Sequence, residues 1–225
     1  MPRAHSKAIP WPKLAPAIWI TALWVGAFFC PNPSFSQSKF QQFRNLPGPV
    51  KSWVIGHIWT ASKAQRLTNI ALQALPAASQ DPRLDHDPIG GRLDAFRHGY
   101  WMALLGQEFR AGKARSLGRA YERSNYLQWK RGQLEDGGVQ DSCSSKMDLL
   151  NNEVGIRIGR VNREIGNAEL AGMVMDSVAA GAFWVISKDS DGRSLDAQGN
   201  ELPDSEWKGK WVNRRILLRS NALRP

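Results

Sequence analysis

The sequence has only two cysteines, Cys30 and Cys143, among its 225 residues. This scarcity excludes a small scaffold held by several disulfides and a zinc site built from several thiolates. Once an N-terminal segment containing Cys30 is removed, as argued below, no internal disulfide can form. We expect Cys143 to be buried or to pair between molecules. We do not expect it to be a nucleophile, because its neighbours indicate a polar loop in which Lys146 alone would activate a thiol.

Several short signatures of known hydrolases are also missing. The sequence contains no Gly-x-Ser-x-Gly, no His-Glu-x-x-His and no glycine-rich phosphate-binding loop. Serine hydrolases, zinc peptidases and nucleotide hydrolases of the kinds that carry these motifs are therefore not indicated. Internal repeats and low-complexity tracts are absent as well.

The chain is basic but has no dense run of lysine and arginine. It carries 30 basic and 20 acidic residues, a formal charge of +10, of which +7 lies beyond residue 36. Without a concentrated basic patch, we expect no specific nucleic-acid binding. A diffuse positive charge predicts attraction to an anionic envelope polymer or to lipid headgroups. The alternative is that the charge only aids solubility.

The first 36 residues are typical of a signal peptide. Positive charges fall within residues 1–13, an uncharged apolar run occupies 14–29, and small residues precede a cleavage point that we place after Ser36. The apolar run is shorter than the roughly 20 residues of a membrane span, which disfavours the alternative of an uncleaved anchor. We therefore predict an exported protein, periplasmic or extracellular, with no transmembrane segment after cleavage.

The pattern of apolar residues beyond a lead-in segment at 37–50 predicts a mainly α fold. We expect a single-domain bundle of about five helices over residues 51–186, with Pro76 ending the first helix and Asn167 capping the fifth. A short irregular or hairpin extension would follow at 187–225. The second, fourth and fifth helices should form the core. The predicted helices cover 51–75, 91–111, 113–130, 145–165 and 168–186.

The second predicted helix carries polar residues on an otherwise apolar surface. Asp94 and His98 are four residues apart and share a face, where burial costs free energy unless each group finds a partner. On the fourth predicted helix, Asp148 and Asn152 share a face with Gly155 and Gly159, opposite an apolar stripe. The two glycines would let another helix approach closely. If the second helix lies there, the two polar pairs face one another.

These residues suggest a set of roles. A carboxylate beside an imidazole fixes its tautomer and suits either a general base or a metal ligand. Carboxylate and amide oxygens would suit a hard divalent cation better than structural zinc. We assign catalysis to His98, Asp94 and Glu122, substrate binding to Arg97, Trp101 and Asn151, and a divalent cation to Asp148 and Asn152.

Simpler interpretations compete with each role. Asp148 could cap its own helix through the pattern Ser145-x-x-Asp148. Asp94 and His98 could be a satisfied buried pair, and Glu122 a surface ion-pair member. The run Asp85-His86-Asp87 offers metal ligands, although three polar residues in a loop usually form only a turn. Of the tryptophans, we expect Trp53, Trp59, Trp101 and Trp184 in the core and Trp207 and Trp211 at the surface.

Two motifs together resemble a known family. Asp94-Ala-Phe-Arg-His98-x-x-Trp101 is followed about fifty residues later by Met147-Asp148-x-x-Asn151-Asn152-x-x-Gly155. This pair is similar to an uncharacterised bacterial family of small helical exported proteins and C-terminal domains of secreted or toxin-like chains. The resemblance covers about 85–165 and implies which residues to test, but no established activity. Where we associate a His-Glu pair with the family, this chain has Tyr121-Glu122, so one potential ligand or base is missing.

Three functions are compatible with these features. The first is an exported, metal-assisted hydrolase acting on an envelope polymer or a phospho-ester. The second is a non-enzymatic envelope-binding or structural domain whose buried polar network specifies helix packing. The third is a secreted antibacterial toxin, which the toxin-like members of the resembled family suggest.

Overall fold

A computed structural model of the chain describes residues 43–132 and 140–222. The predicted signal peptide with its cleavage point at Ser36, Cys30 and the start of the lead-in lie outside these residues. The fold is mainly helical, which confirms the predicted class. The elements are α1 (Gly48–Gly56), α2 (Ile58–Ala78), α3 (Arg92–Glu108), α4 (Ala111–Lys130), α5 (Ser142–Val161), α6 (Asn167–Ala179), β1 (Trp184–Ile186), α7 (Asp204–Trp207) and β2 (Leu217–Arg219).

Helix α3 is the centre of the domain. It is apolar around most of its circumference, and side chains such as Phe96, Met102 and Leu104 are completely buried. It packs most extensively against α5 and also against α6, α2 and α4. A helix with apolar residues on all sides is stable only when neighbours surround it. The prediction that the second, fourth and fifth helices form the core is thereby confirmed for α3, α5 and α6.

Glycines allow α3 and α5 to touch along their backbones. Gly155 of α5 faces Gly99 of α3, and one turn later Gly159 faces Ala103, so the two helices run in the same direction. A β-carbon on either α5 glycine would overlap a backbone carbonyl of α3. The predicted groove is therefore present, and α3 lies in it. This contact fixes which side chains of the two helices meet.

We expect Gly155→Ala to lower the free energy of unfolding by about 1–3 kcal/mol, because the added methyl group meets the rigid backbone at Gly99. Gly172→Ala is the matched control, since Gly172 lies within α6 with no atom near its missing side chain. That control should gain about 0.5–1 kcal/mol from helix propensity. Urea denaturation of both variants measures the difference. Equal stabilities would contradict the close packing of α3 on α5.

The first predicted helix is in fact two helices. The chain bends at His57, whose backbone leaves the helical region, and α1 already begins at Gly48 inside the predicted lead-in. Pro49 fits there because a proline in the first turn removes no helical hydrogen bond. Pro76 does not end α2, which continues to Ala78. A proline is tolerated so near the end because little of the helix remains to be disrupted.

The last predicted helix, 168–186, is shorter than predicted. It ends at Ala179, and its N-cap is Gly166, with Asn167 as the first helical residue. The chain then turns at Gly181, whose φ of 87° lies in the left-handed region that favours glycine. The following residues extend as β1 and pair antiparallel with β2, with Val185 opposite Leu218. Apolar content alone did not distinguish this buried strand from the end of a helix.

The C-terminal extension packs firmly onto the helices. Leu195 and Leu202 are buried. The Ser142 N–H, at the start of α5, donates to the Trp211 carbonyl over 2.8 Å. Arg215 bonds to Asp141 over 2.7 Å, and both side chains are almost fully buried. The extension therefore holds the N-terminus of α5 in place.

One expectation for the tryptophans was wrong. Trp59, predicted in the core, is 94% exposed. Trp211, predicted at the surface, is half-buried against Trp129 and Tyr126.

Within the described ranges, no helix combines the length and the apolar content needed to cross a membrane.

Candidate metal centre

The candidate site begins where α3 starts. Asp85 accepts hydrogen bonds from the backbone N–H groups of Arg92, at 2.8 and 2.9 Å, and of Leu93, at 3.3 Å. Asp87 pairs with Lys188 over 2.7 Å. The Asp85-His86-Asp87 run is therefore a turn that fixes the start of α3. In the first turn of that helix, Asp94 accepts a 2.7 Å bond from the Gly90 N–H through Oδ2, which leaves Oδ1 facing the groove.

Three ligand-type side chains converge between α3 and α5. His98 Nε2 lies 3.3 Å from Asp148 Oδ1 and 3.6 Å from Asp94 Oδ1. One ligand atom from each of the three residues lies within 4.8 Å of the others. The carboxylates are buried, with side chains 7% and 6% exposed for Asp94 and Asp148 respectively. The predicted meeting of the two motifs is thus present in the fold.

Arg97 connects this cluster to the surface. Its Nη2 lies 2.6 Å from Asp94 Oδ1, and its Nε lies 3.1 Å from the same oxygen. The same Nη2 is 3.3 Å from His98 Nε2. The Arg97 side chain is 39% exposed, against 13% for His98. An incoming anion would therefore meet the guanidinium before it reached the imidazole.

The environment keeps the imidazole neutral. Burial and, second, the Arg97 guanidinium lower the pKa of His98 to about 4, although Asp94 and Asn152 act in the opposite direction. Burial also acts to raise the pKa of Asp94, but Arg97, His98 and the Gly90 N–H more than offset it, so that pKa lies below its usual value. A neutral imidazole beside an ionised carboxylate is the state in which both groups bind metals.

One buried polar atom at the site, His98 Nδ1, has no hydrogen-bond partner in the described part of the chain. The Asn152 amide, in a residue that is only 4% exposed, lies beside the imidazole and acts to raise its pKa as a hydrogen-bonding group. Leaving a buried ring nitrogen unpaired usually costs about 1–3 kcal/mol. A network whose purpose was only to hold helices together would be expected to pair it. The buried ring nitrogen and the amide beside it are polar groups that a ligand between α3 and α5 would contact.

Glu122 is buried, which overturns its interpretation as a surface ion-pair member. It is 6% exposed on α4. Helices α4 and α5 are antiparallel, because Arg115 pairs with Glu153 and Gly118 lies against Asn152. One further turn along that register puts Glu122 at the level of Asp148. It remains a candidate for a further carboxylate at the edge of the site.

Two of the predicted substrate-binding residues have other partners. Asn151 is fully buried and exchanges two hydrogen bonds, of 2.9 and 3.0 Å, with the backbone of Trp184. It therefore ties β1 to α5. The Trp101 indole donates to Thr68 over 2.8 Å and packs edge-on against Tyr121. Their predicted role in substrate binding has no support from these contacts, and Arg97 is the predicted binding residue that remains beside the cluster.

Asp148 does not cap its own helix. Helix α5 begins at Ser142, and its N-cap is Asp141, which accepts from the Ser144 N–H over 2.8 Å while Ser144 Oγ accepts from the Asp141 N–H over 3.1 Å. The alternative based on Ser145-x-x-Asp148 was therefore wrong by one turn. Its Oδ1 instead lies 3.3 Å from His98 Nε2.

Cys143 is buried in the first turn of α5 and not in a polar loop as its neighbours suggested. Burial and the nearby Asp141 carboxylate raise its pKa to about 12. We expect no alkylation of Cys143 by iodoacetamide at pH 8 in the folded protein, and full alkylation in denaturant, because the thiolate is the reactive form. Mass spectrometry of the peptide containing Cys143 measures this. Rapid labelling of the native protein would show that the thiol is accessible.

The buried ion pair of Asp141 with Arg215 was not predicted. Asp141 is completely buried, and its Oδ2 accepts 2.7 Å and 2.8 Å bonds from Arg215 and Asn213. Arg215 also lies over the Trp207 ring. Arg215 and Asn213 are more than 70 positions from Asp141 in the sequence, so no local spacing linked them. The one signal was an arginine beside apolar residues in the final basic segment.

Comparison with known proteins bears on the family and not on the chemistry. No curated protein and no solved structure matches this chain. A family model described as a domain of unknown function (DUF6973) matches residues 51–182. The match contains both motifs of the site and extends beyond the 85–165 range of the resemblance. The chain therefore belongs to the family described as a domain of unknown function, DUF6973.

Proposed function

We propose that this protein is an exported, metal-assisted hydrolase. Its substrate would be a phospho-ester or an anionic polymer of the cell envelope. The observation that carries the proposal is the convergence of Asp94, His98 and Asp148 with ligand atoms within 4.8 Å of one another. Export is proposed from the composition of residues 1–36.

The donor set suits a hard or borderline divalent cation such as Mn²⁺ or Mg²⁺. Two carboxylates and a neutral imidazole are ligands of such ions, and the set contains no thiolate. Asn152 would provide an amide oxygen or hold a water molecule beside His98. A bound cation would supply Lewis-acid polarisation of a substrate oxygen and a lowered pKa of its water.

The Arg97 guanidinium indicates that the proposed substrate is an anion. Its side chain is 39% exposed and reaches the buried carboxylate of Asp94. A planar guanidinium binds phosphate or carboxylate oxygens through two parallel hydrogen bonds. With a cation held by Asp94, the Arg97 guanidinium would be available to an anionic substrate. This arrangement favours a phospho-ester over a neutral glycan.

A structural network is the competing explanation, and one unpaired ring nitrogen argues against it. Buried polar networks that specify packing are normally fully hydrogen-bonded. Here His98 Nδ1 lacks such a partner among the described residues. Binding of anionic envelope components without hydrolysis is the related non-enzymatic possibility, and the assay below separates the two.

The test is hydrolysis by the full chain after chelation and re-addition of single cations. We would use bis(p-nitrophenyl) phosphate, p-nitrophenyl phosphate and isolated cell-wall polymer as substrates. We expect a cation-dependent rate that is lost in His98→Gln and kept in Glu153→Gln, whose carboxylate pairs with Arg115 at the surface of α5. Absence of hydrolysis with every cation, or a wild-type rate in His98→Gln, would contradict the proposal.

A further inference from the structure

A second feature, lined by residues outside the cluster, is an apolar groove between α1, α2 and α4. Its volume is about 390 Å³, and its lining is almost entirely apolar. A groove of this size and character is typical of sites that accept hydrocarbon. Its principal lining residues are Phe43, Leu46, Val50, Trp53, Leu117 and Tyr121.

Three large apolar side chains are exposed at the corner between α1 and α2, and two of them line this groove. Ile55 and Ile58 are each 66% exposed and also line the groove, and Trp59 is 94% exposed. They surround the bend at His57 between α1 and α2. We call these three residues the corner patch. Such a group of exposed apolar residues at a helical corner indicates an interaction surface.

The chain segment that forms the corner patch carries charge of one sign. From residue 43 to residue 80 the chain contains four basic residues and no acidic residue. Arg44 and Arg66 are exposed, whereas Lys63 pairs with Glu108 of α3. Basic residues beside exposed tryptophan and isoleucine form the combination that binds anionic lipid surfaces. Tryptophan in particular prefers the boundary between headgroups and acyl chains.

We propose that the corner patch docks on an anionic lipid bilayer, with Trp59 at the headgroup level and the groove open to an acyl chain. The inference does not depend on the proposed hydrolase, because none of the corner residues belongs to the Asp94, His98 and Asp148 cluster. Positive charge would provide the first attraction, and burial of the apolar side chains would hold the protein at the surface.

Depth-dependent quenching of Trp59 tests this directly. We would add vesicles of brominated phosphatidylglycerol, or of brominated phosphatidylcholine, to the full chain and to Trp59→Phe. The difference between the two emission signals isolates Trp59 among the ten tryptophans and is independent of any insertion by the apolar run at 14–29. We expect quenching of the Trp59 component by the anionic vesicles and little by the zwitterionic ones.

Matched variants give the expected magnitudes. Ile58→Ser should weaken partitioning to anionic vesicles about tenfold, because a buried isoleucine contributes at least that much to transfer. Arg66→Gln should weaken it about fivefold, the usual contribution of one basic residue near an anionic surface. Val161→Ser is the control, since Val161 is 81% exposed at the end of α5. It should partition like the wild type.

Three outcomes would overturn the proposal. No quenching of the Trp59 component, or equal quenching on both lipids, would remove the anionic bilayer as the partner. A Trp59 emission that shifts with protein concentration before lipid is added would assign the patch to a second copy of the chain. A Trp59 emission already that of an apolar environment, and unchanged by vesicles, would assign it to another segment of the same chain.

Discussion

Replacing Asp141 with alanine is expected to lower the free energy of unfolding by about 3–5 kcal/mol, the usual cost of removing one partner of a buried ion pair. The carboxylate is fully buried, caps α5 through the Ser144 N–H, and accepts bonds from Arg215 and Asn213. The variant leaves Arg215, which is 4% exposed in its side chain, without its carboxylate. Denaturation by guanidinium or heat measures the loss.

Two comparisons separate this cost from that of an ordinary ion pair. Asp204→Ala removes an exposed partner of Lys208 and should change stability by less than about 1 kcal/mol. The double variant Asp141→Ala with Arg215→Ala should be more stable than the sum of the single changes predicts, because it removes the stranded charge. A loss below about 1 kcal/mol in Asp141→Ala would show that the extension does not secure α5.

The second large effect is expected from Asp148→Asn. The substitution preserves shape but removes a carboxylate that lies close to another, Asp94, in a buried site. In chelator, we expect the variant to be as stable as the wild type or more stable by about 1 kcal/mol, because functional sites commonly sacrifice stability. Its cation-dependent hydrolysis should fall by more than about a hundredfold. Replacing even a residue that only hydrogen-bonds to a metal ligand usually lowers metal affinity or activity by about 10–100-fold.

A structural network makes the opposite prediction for the same variant. If Asp148 served only to hold α5 against α3, its loss would strand hydrogen-bonding groups and cost a few kcal/mol in chelator. Glu153→Gln on the same helix controls for the loss of one negative charge at the surface. Urea denaturation in chelator, run beside the hydrolysis assay, distinguishes the two accounts. A large loss of stability with activity retained would contradict the metal centre.

Helical period and glycine spacing were sufficient to predict how the two motifs meet. One face of α5 carries two polar residues and two glycines: Asp148, Asn152, Gly155 and Gly159. The glycines allow a neighbouring helix to pack closely against that face. Since α3 carries the other polar residues, its placement in the groove brought His98 to Asp148. Local spacing therefore predicted the centre of the site.

Long-range partners were beyond the reach of local patterns. The pairing of β1 with β2 and the bond from Arg215 to Asp141 join segments that are far apart in the chain. The same limit hid the hydrogen-bond partner of Asn151, which is the backbone of Trp184. Trp184 belongs to a strand that the apolar pattern presented as helix. Exposure of Trp59 was missed because a helical period does not reveal a bend at His57.

The most direct test of the central claim is thermal denaturation of the full chain, first in chelator and then with Mn²⁺, Mg²⁺, Ca²⁺ or Zn²⁺. A cation that binds only the folded protein adds about 2.7 kcal/mol at a hundred times its Kd, enough to raise Tm by several degrees. We predict such a saturable rise with at least one of these cations and none in Asp148→Asn. An unchanged Tm with every cation, or the same rise in Asp148→Asn, would contradict a metal centre formed by Asp94, His98 and Asp148.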